Sequence, residues 1–218
     1  MKVHLSKPIL YLITRGATAD TTTSASPEFQ ENLKQVSAAV AAGVDLIQVR
    51  EKRLCTRVLF ELVERAVQLT AATSTRLLVN DRADVAAGAG ADGVHLTTQS
   101  IEVATIRKTF GEEFLIGASA HSLEEARVAR DGGANFAVFG PVFETGSKLP
   151  YGPPLGLGKL RDAAQQLAPF PLLALGGISI ANARQCLRVG ASGIAGIGLF
   201  SDPAKLKSVV DSLRSMSN

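Results

Sequence analysis

The chain has 218 residues, 46% of them hydrophobic and only 5% aromatic, so a buried core has to be built mainly from Ala, Val, Leu and Ile. Its 23 basic and 20 acidic side chains give a net charge of +3, and because the basic residues are dispersed along the chain, we expect no nucleic-acid partner. The apolar runs are shorter than the roughly 20 residues of a membrane-spanning helix, and the first run, 9–14, is too short for a secretory signal, so we expect a cytoplasmic protein without a membrane partner.

Short apolar runs alternate along the chain with segments of helical periodicity. Helix starts are predicted at Pro27, at Pro203 and after the capping residue Ser122. The apolar runs predict eight strands, at 9–14, 46–49, 77–79, 93–96, 115–118, 136–139, 172–175 and 193–197.

A weak internal repeat supports these strands. Four times, a helix-like segment ends in Gly, and an apolar residue, a polar residue and a strand follow. A glycine at a helix end is typical of a residue with positive φ that turns the chain toward the next strand. The four copies are Gly43-Val44-Asp45, Gly90-Ala91-Asp92, Gly133-Ala134-Asn135 and Gly190-Ala191-Ser192.

Strands without polar alternation, each followed by a helix, predict a parallel sheet covered by helices. Eight such units in about 200 residues favour closure into a single α/β domain, a (β/α)₈ TIM barrel spanning 1–218. A doubly wound open sheet is the alternative. It would usually carry a Gly-rich dinucleotide turn after the first strand, where this chain has the Thr/Ser-containing loop 15–24.

In such a barrel the working residues follow the carboxyl ends of the strands. After the second predicted strand, alternation puts Gln48, Arg50 and Lys52 on one side. Two buried cations need anionic partners, because an unpaired buried charge costs several kcal/mol. They either form internal ion pairs, for instance with Asp81, or clamp a phosphate or diphosphate. We favour the clamp.

The third predicted strand ends in Asn80 and Asp81. Asp81 can hold Mg²⁺ together with substrate phosphate oxygens, since one carboxylate is a common protein contribution to a Mg²⁺ site. Asp81 can also cap the helix that begins near Arg82. The two roles are compatible.

The fifth predicted strand ends in Ser119-Ala120-His121. His121 comes directly before the capping Ser122 and is expected to face the barrel mouth. A lone His is more often structural than catalytic, but this placement leaves the structural and the acid/base interpretations equally open.

The loop 143–156 after the sixth predicted strand places Thr145, Ser147 and Lys148 among glycines. This composition suits a diphosphate-binding lid, and it suits a solvated surface loop as well. The sequence alone does not decide between them.

The last two predicted strands carry glycines at their ends. Gly176 and Gly177 follow the seventh strand, and Ile197 and Gly198 end the eighth. Backbone amides at these positions form the recurrent phosphate site of barrels, and glycines let an anion approach closely. We therefore predict phosphate binding there.

These strand ends, in this order, resemble the thiamin phosphate synthase and thiazole tautomerase (TenI-like) superfamily. The likeness extends from about Ile9 to Phe200, and its specificity lies in the joint order and spacing of the motifs. The motifs are 48–52 (QVREK), 79–81 (VND), 91–96 (ADGVHL), 119–122 (SAHS), 139–143 (FGPVF), 145–148 (TGSK) and 175–178 (LGGI).

The resemblance implies that hydroxymethylpyrimidine diphosphate loses diphosphate and that the nitrogen of thiazole phosphate attacks the resulting pyrimidine-methyl cation. Such an enzyme has to stabilise departing diphosphate more than bound substrate. The groups implied for the pyrimidine diphosphate are Arg50, Lys52, Lys148, Mg²⁺ on Asp81, Gln48 and Asn80, and Ser119 is expected to bind substrate. Those implied for thiazole phosphate are Thr145, Ser147, Gly176, Gly177, Ile197 and Gly198.

One departure concerns the metal. In the synthases a Gly-Gln-x-Asp-like segment typically follows the fourth strand, and its Asp is a second metal ligand, whereas 97–100 reads TTQS here. The neutral hydroxyl of Ser100 should weaken Mg²⁺ binding unless diphosphate oxygens compensate. Ser100 is equally suited to cap a helix starting at Ile101.

The departure and the segments 121–125 and 142–145 resemble the tautomerase branch, in which a thiazole phosphate carboxylate is isomerised without a metal and His121 would be the acid/base. We favour the synthase, because four diphosphate-side residues are retained and a buried charge needs a partner. A third interpretation is a non-catalytic protein that binds thiazole phosphate or thiamin phosphate. The sequence leaves open whether the chain forms a homo-oligomer. The four diphosphate-side residues that favour the synthase are Arg50, Lys52, Asn80 and Asp81.

Overall fold

A computed structural model of the protein describes residues 8–145 and 153–217. Eight parallel strands follow one another around a closed barrel, and the last strand pairs with the first. The predicted (β/α)₈ barrel is confirmed, and the doubly wound alternative is wrong. The strands are β1 (Ile9–Ile13), β2 (Leu46–Val49), β3 (Arg76–Asn80), β4 (Gly93–Leu96), β5 (Leu115–Ala120), β6 (Phe136–Phe139), β7 (Leu172–Ala174) and β8 (Gly193–Gly196).

Helices cover the outside of the barrel. They are α1 (Pro27–Ala42), α2 (Thr56–Thr70), α3 (Ala83–Gly88), α4 (Val103–Phe110), α5 (Leu123–Asp131), α6 (Gly156–Leu167), α7 (Ile180–Arg188) and α8 (Leu206–Arg214). The predicted helix start at Pro203 is wrong: the Asp202 side chain accepts the N–H of Ala204 and closes a turn first. Within the described ranges, no helix combines the length and the apolar composition that crossing a bilayer requires.

The barrel interior is filled by side chains that point to the axis. Leu46, Leu78 and Leu173 are fully buried there, and the Tyr11 ring packs edge-on against Phe136 with ring centroids 5.4 Å apart. A larger apolar cluster fills the space between strands and helices. Because the interior is packed, the rim at the carboxyl ends of the strands is where a ligand can enter.

The sequence repeat corresponds to a hydrogen-bond clamp at the amino-terminal end of the barrel. In three copies, the polar residue of the repeat accepts a backbone N–H from the preceding strand, and an arginine side chain binds the same polar residue. Each loop is thereby tied to its neighbouring strand. The clamps join Asp45 to Leu10 and Arg214, Asp92 to Leu77 and Arg76, and Asn135 to Ile116 and Arg107.

Asp45 forms the most enclosed of these clamps, with a side chain that is 11% exposed. Its Oδ2 accepts the N–H of Leu10 at 2.7 Å and a guanidinium N–H of Arg214 at 2.8 Å. Burial raises the pKa of Asp45, and the hydrogen bond from Arg214 opposes that effect. Arg214 also donates to the carbonyl of Gly43, so α8 is fastened to the segment that enters β2.

We predict that Asp45→Ala lowers the free energy of unfolding by about 2 kcal/mol, because the buried N–H of Leu10 loses its charged acceptor. Urea unfolding measures this loss. Turnover of the folded variant should not change, since Asp45 lies at the end of the barrel opposite the rim. Asp131→Ala is the control, because that exposed carboxylate pairs with the adjacent Arg130. Equal shifts of the unfolding midpoint in the two variants would contradict the clamp.

Candidate functional site

Most of the residues predicted as site residues lie around one rim of the barrel, where the strands end. They form three parts: a charged side after β2 and β3, a polar floor in the barrel interior, and a glycine-lined side after β7 and β8. Ser147 and Lys148, which belong to the same prediction, lie outside the described residues.

The charged side is a cavity of about 300 Å³ that Lys52, Asn80, Asp81 and Arg82 help to line. Arg50 follows β2 directly and is half-buried. The predicted alternative of an internal ion pair with Asp81 is not found, since no ion pair of the described residues involves Arg50, Lys52 or Asp81. Both cations are therefore available to an anionic ligand.

Asp81 presents an exposed carboxylate from the turn between β3 and α3. Its φ of 62° lies in the left-handed region, which residues other than glycine seldom adopt, and its N–H donates to the carbonyl of His95 at 2.9 Å. The predicted capping role is wrong, because Arg82 occupies the N-cap position of α3 and no side chain caps it. The Arg82 guanidinium donates two hydrogen bonds to the Asp84 carboxylate, with N–O distances of 2.8 and 2.7 Å.

Ser100 is held in a turn after β4. Its hydroxyl accepts the N–H of Thr97 at 2.7 Å and lies 3.0 Å from the Thr97 hydroxyl. The predicted cap of a helix starting at Ile101 is wrong, because α4 begins at Val103 with Glu102 at its N-cap position. The hydroxyl that replaces an expected metal ligand is thus used within its own loop.

The charged side offers a metal ion one available carboxylate. Among the residues of 8–145 and 153–217, no group of three or more His, Cys, Asp or Glu is arranged to hold a metal. The nearby Glu51 is buried and already accepts four hydrogen bonds. Mg²⁺ is commonly held by one carboxylate together with ligand phosphate oxygens and water. Asp81 fits that arrangement.

The polar floor consists of Gln48 on β2, His95 on β4 and Ser119 on β5. His95 Nε2 lies 3.0 Å from Ser119 Oγ. Three buried polar atoms have no hydrogen-bond partner among the described residues: Gln48 Nε2, His95 Nδ1 and the hydroxyl of Tyr11. Unpaired buried polar atoms are costly, so these three atoms mark the floor as a part of the barrel interior where the described residues leave hydrogen-bonding capacity unused.

The floor carries no charge at neutral pH. Burial, reinforced by the positive charge of Arg50, lowers the pKa of His95 to about 3, and burial raises the pKa of Tyr11 well above its usual value. Gly117 makes room for the imidazole, since a Cβ there would lie 2.7 Å from His95 Nδ1. Tyr11 and His95 were not predicted as site residues, although both are polar side chains in apolar strands, at positions that alternate with outward-facing ones.

His121 lies at the rim after β5 and is half-buried. Its Nδ1–H donates to the carbonyl of Gly140, which leaves Nε2 as the basic nitrogen. Its backbone N–H donates to Glu125 Oε2 at 2.6 Å, while Ser122 Oγ accepts the N–H of Glu125 at 3.1 Å. The ring is held at the rim by these contacts, and an acid/base role for it stays a prediction.

The glycine-lined side is a cavity of about 250 Å³ after β7 and β8. Gly177 has a φ of 64°, and a Cβ there would lie 2.3 Å from the carbonyl oxygen of Glu144, so only glycine fits. At Gly198 a Cβ would meet no atom within 4 Å. Bare backbone along a cavity lets an anion approach the amides closely. The lining includes the predicted residues Thr145, Gly176, Gly177, Ile197 and Gly198.

Comparisons with known proteins point to one family. Residues 10–200 match the profile of the family described as thiamine monophosphate synthase. A thiamine-phosphate synthase of Chloroflexus aurantiacus is 41% identical over 160 residues, which cover 73% of each chain. One of Methanoculleus marisnigri is 39% identical over 81% of this chain and 83% of its own. The solved structure of a thiamine phosphate pyrophosphorylase from Pyrococcus furiosus matches with a TM-score of 0.76 at 30% identity, covering 96% of both chains.

We predict that His95 makes the folded protein sensitive to acid. Its pKa is about 3 in the folded chain against 6.5 for a free imidazole, so between these values the proton binds only the unfolded chain. The contribution of His95 to stability is therefore complete above about pH 6.5 and falls by about 1.4 kcal/mol per pH unit below it.

Urea unfolding of the wild type and of His95→Gln, at about pH 7.5 and at about pH 5, measures this contribution. The wild type should lose more stability than the variant as the pH falls. A difference between the two proteins that does not change with pH would show that His95 titrates normally in the fold.

Proposed function

The chain belongs to the thiamine monophosphate synthase family, and we propose that it joins hydroxymethylpyrimidine diphosphate to thiazole phosphate, giving thiamin phosphate and diphosphate. The observation that carries this proposal is the arrangement of the rim, with cations and a carboxylate on one side, a glycine-lined cavity on another and an uncharged polar floor between them. A reaction between two phosphorylated substrates needs two anion sites, with the reacting carbon and nitrogen meeting between them.

The alternatives have less support. The relatives compared above are named thiamine-phosphate synthases, which agrees with a transferase and does not support an isomerase with His121 as acid/base. The same names give no support to a non-catalytic binding protein.

On the charged side, Arg50 and Lys52 would stabilise the departing diphosphate. Breaking the carbon–oxygen bond adds negative charge to the diphosphate, so cations placed there bind the transition state more strongly than the substrate. Neither cation is used in an internal ion pair of the described chain. Lys148 would be a third cation, and Asn80 would orient the diphosphate end.

Asp81 is the residue that would hold Mg²⁺, together with oxygens of the diphosphate. The ion, when bound, supplies further neutralisation of the leaving group. A single carboxylate is a weak site by itself, so Asp81 and the diphosphate would hold the ion jointly. The turn of Asp81 presents its carboxylate to the cavity that Lys52 also lines.

The polar floor is the proposed place of the pyrimidine ring. The ring nitrogens accept hydrogen bonds and the exocyclic amine donates them, so the unpaired atoms of Gln48 and His95 would find partners. Ser119 would contribute its hydroxyl. A ring seated on the floor is also shielded from water on that face, which protects the pyrimidine-methyl cation from hydrolysis.

The glycine-lined side is the proposed place of the thiazole phosphate. Backbone amides can come close to the phosphate because glycines form part of the cavity lining. Thr145 lines the same cavity, and Ser147 would add a second hydroxyl. The amides are those of Gly176, Gly177, Ile197 and Gly198.

We predict that the purified protein forms thiamin phosphate and diphosphate from hydroxymethylpyrimidine diphosphate, thiazole phosphate and Mg²⁺. Chromatography with mass spectrometry identifies the products, and each thiazole tautomer is supplied separately. Conversion of one tautomer to the other without thiamin phosphate would identify an isomerase, and tight binding without turnover would identify a binding protein. Either result overturns the proposed function.

Removal of Mg²⁺ with a chelator should slow thiamin phosphate formation by at least about tenfold, because the leaving group loses a neutralising charge. Asp81→Asn should raise the Mg²⁺ concentration that gives half the maximal rate. Asp162→Asn is the matched control, since that exposed carboxylate pairs with Arg161 on α6. An unchanged rate after chelation would remove the metal role of Asp81.

We also predict that Gly198→Ala raises the KM for thiazole phosphate by about tenfold, since the methyl group would occupy space needed by the phosphate. The fold should tolerate it, because the added Cβ meets no atom within 4 Å. Gly158→Ala on α6 is the control glycine, whose Cβ also meets no atom. Steady-state kinetics and melting temperatures separate the two effects, and an unchanged KM in Gly198→Ala would place the phosphate elsewhere.

A further inference from the structure

Glu51 stands in the sequence between the two cations of the charged side, and it is 2% exposed. A buried carboxylate needs hydrogen-bond donors in place of lost water. Its donors all come from the loop between β1 and α1, and all are uncharged. Oε1 accepts the Thr14 hydroxyl at 2.7 Å and the Gly16 N–H at 3.0 Å, and Oε2 accepts the N–H and the hydroxyl of Thr18 at 3.1 and 2.7 Å.

Four donors fill the four lone-pair positions of a carboxylate. Glu51 is thus saturated by neutral groups, and in the part of the chain that the structure describes it forms no ion pair. An acid beside two cations would ordinarily attract one of them. Here the hydrogen bonds from the loop saturate the Glu51 carboxylate, so Arg50 and Lys52 stay available to an anionic ligand.

The same hydrogen bonds reach Arg50. The Thr14 hydroxyl that donates to Glu51 also accepts the backbone N–H of Arg50, at 2.8 Å. Gly16 lies against the same residue: a Cβ on Gly16 would be 3.2 Å from the carbonyl oxygen of Arg50 and 3.5 Å from its Nη1. The Arg50 guanidinium therefore rests on the loop that Glu51 holds.

We infer that Glu51 is a positioning residue whose carboxylate fastens the loop 14–18 to the end of β2 and thereby aims the Arg50 guanidinium at the diphosphate. Glu51 acts through this loop and does not itself touch the diphosphate. The inference rests on the proposed function, because it explains how one side of the proposed site is held in place.

The test is a double-mutant cycle read by calorimetric binding of inorganic pyrophosphate in the presence of Mg²⁺. Glu51→Gln replaces one acceptor by an amide nitrogen, which cannot accept the N–H of Gly16 or Thr18. Glu51→Gln and Arg50→Gln should each weaken binding by about tenfold, and the double variant should bind within about twofold of Arg50→Gln. Losses that multiply in the double variant would show that Glu51 acts independently of Arg50 and would overturn the inference.

If Glu51→Gln fails to fold, two substitutions of Thr18 test the same contact. Thr18→Val removes one donor to Glu51 while keeping the side-chain shape, and Thr18→Ser restores the hydroxyl. Pyrophosphate affinity should fall in Thr18→Val and return in Thr18→Ser. Equal affinities in these two variants would contradict the inference. Glu61→Gln is the control, since that acid pairs with Arg65 on α2 and should leave pyrophosphate affinity unchanged.

Kinetics distinguish positioning from a general loss of structure. The KM for the pyrimidine diphosphate should rise in Glu51→Gln while the KM for thiazole phosphate stays the same, because the glycine-lined side does not involve the loop 14–18. A parallel rise of both KM values would overturn the inference. Binding of pyrophosphate through Arg50 without thiamin phosphate formation would instead overturn the proposed function and leave the role of Glu51 intact.

Discussion

Closure of eight parallel strands into one cylinder is the constraint on which the site depends. Every strand has to end at the same rim, and every second side chain has to point to the axis. Residues from distant parts of the sequence, such as Gln48, His95 and Ser119, therefore meet on one floor. The clamps at the other end, such as that of Asp45, hold the strands without taking part in this floor. The clamps and the candidate ligand site thus lie at opposite ends of the barrel.

Within the rim, hydrogen bonds decide which charges remain available to a ligand. Glu51 is saturated by uncharged donors of the loop after β1, and Arg82 is bound to the acid two residues further along. Arg50, Lys52 and Asp81 have no ion-pair partner in the described part of the chain. The charged side of the rim therefore combines the available cations Arg50 and Lys52 with the available carboxylate of Asp81, a set that suits a diphosphate with its metal ion.

The fold was predictable because its signals are local and periodic: the repeated glycine turns and the apolar runs appear directly in the sequence. The residues at the strand ends could be named for the same reason, and their roles in ligand binding stay predictions. The capping role of Asp81 was predicted wrongly because it depends on the backbone φ of Asp81 itself, which the sequence does not reveal. Glu51 and His95 were not predicted as site residues because their contacts involve distant parts of the chain, such as the loop 14–18, whose donors reach Glu51 only in the folded protein.

The floor is polar without being charged, and this matters for a reaction that separates charge. In the proposed reaction a cation develops on the pyrimidine methylene carbon, and an imidazolium beneath it would raise the energy of that cation. Burial and the charge of Arg50 together hold the pKa of His95 at about 3, so the imidazole stays neutral. The guanidinium assigned to the leaving diphosphate thus also helps to keep the floor neutral. At the proposed site, positive charge thus lies where negative charge would develop and is kept away from where positive charge would develop.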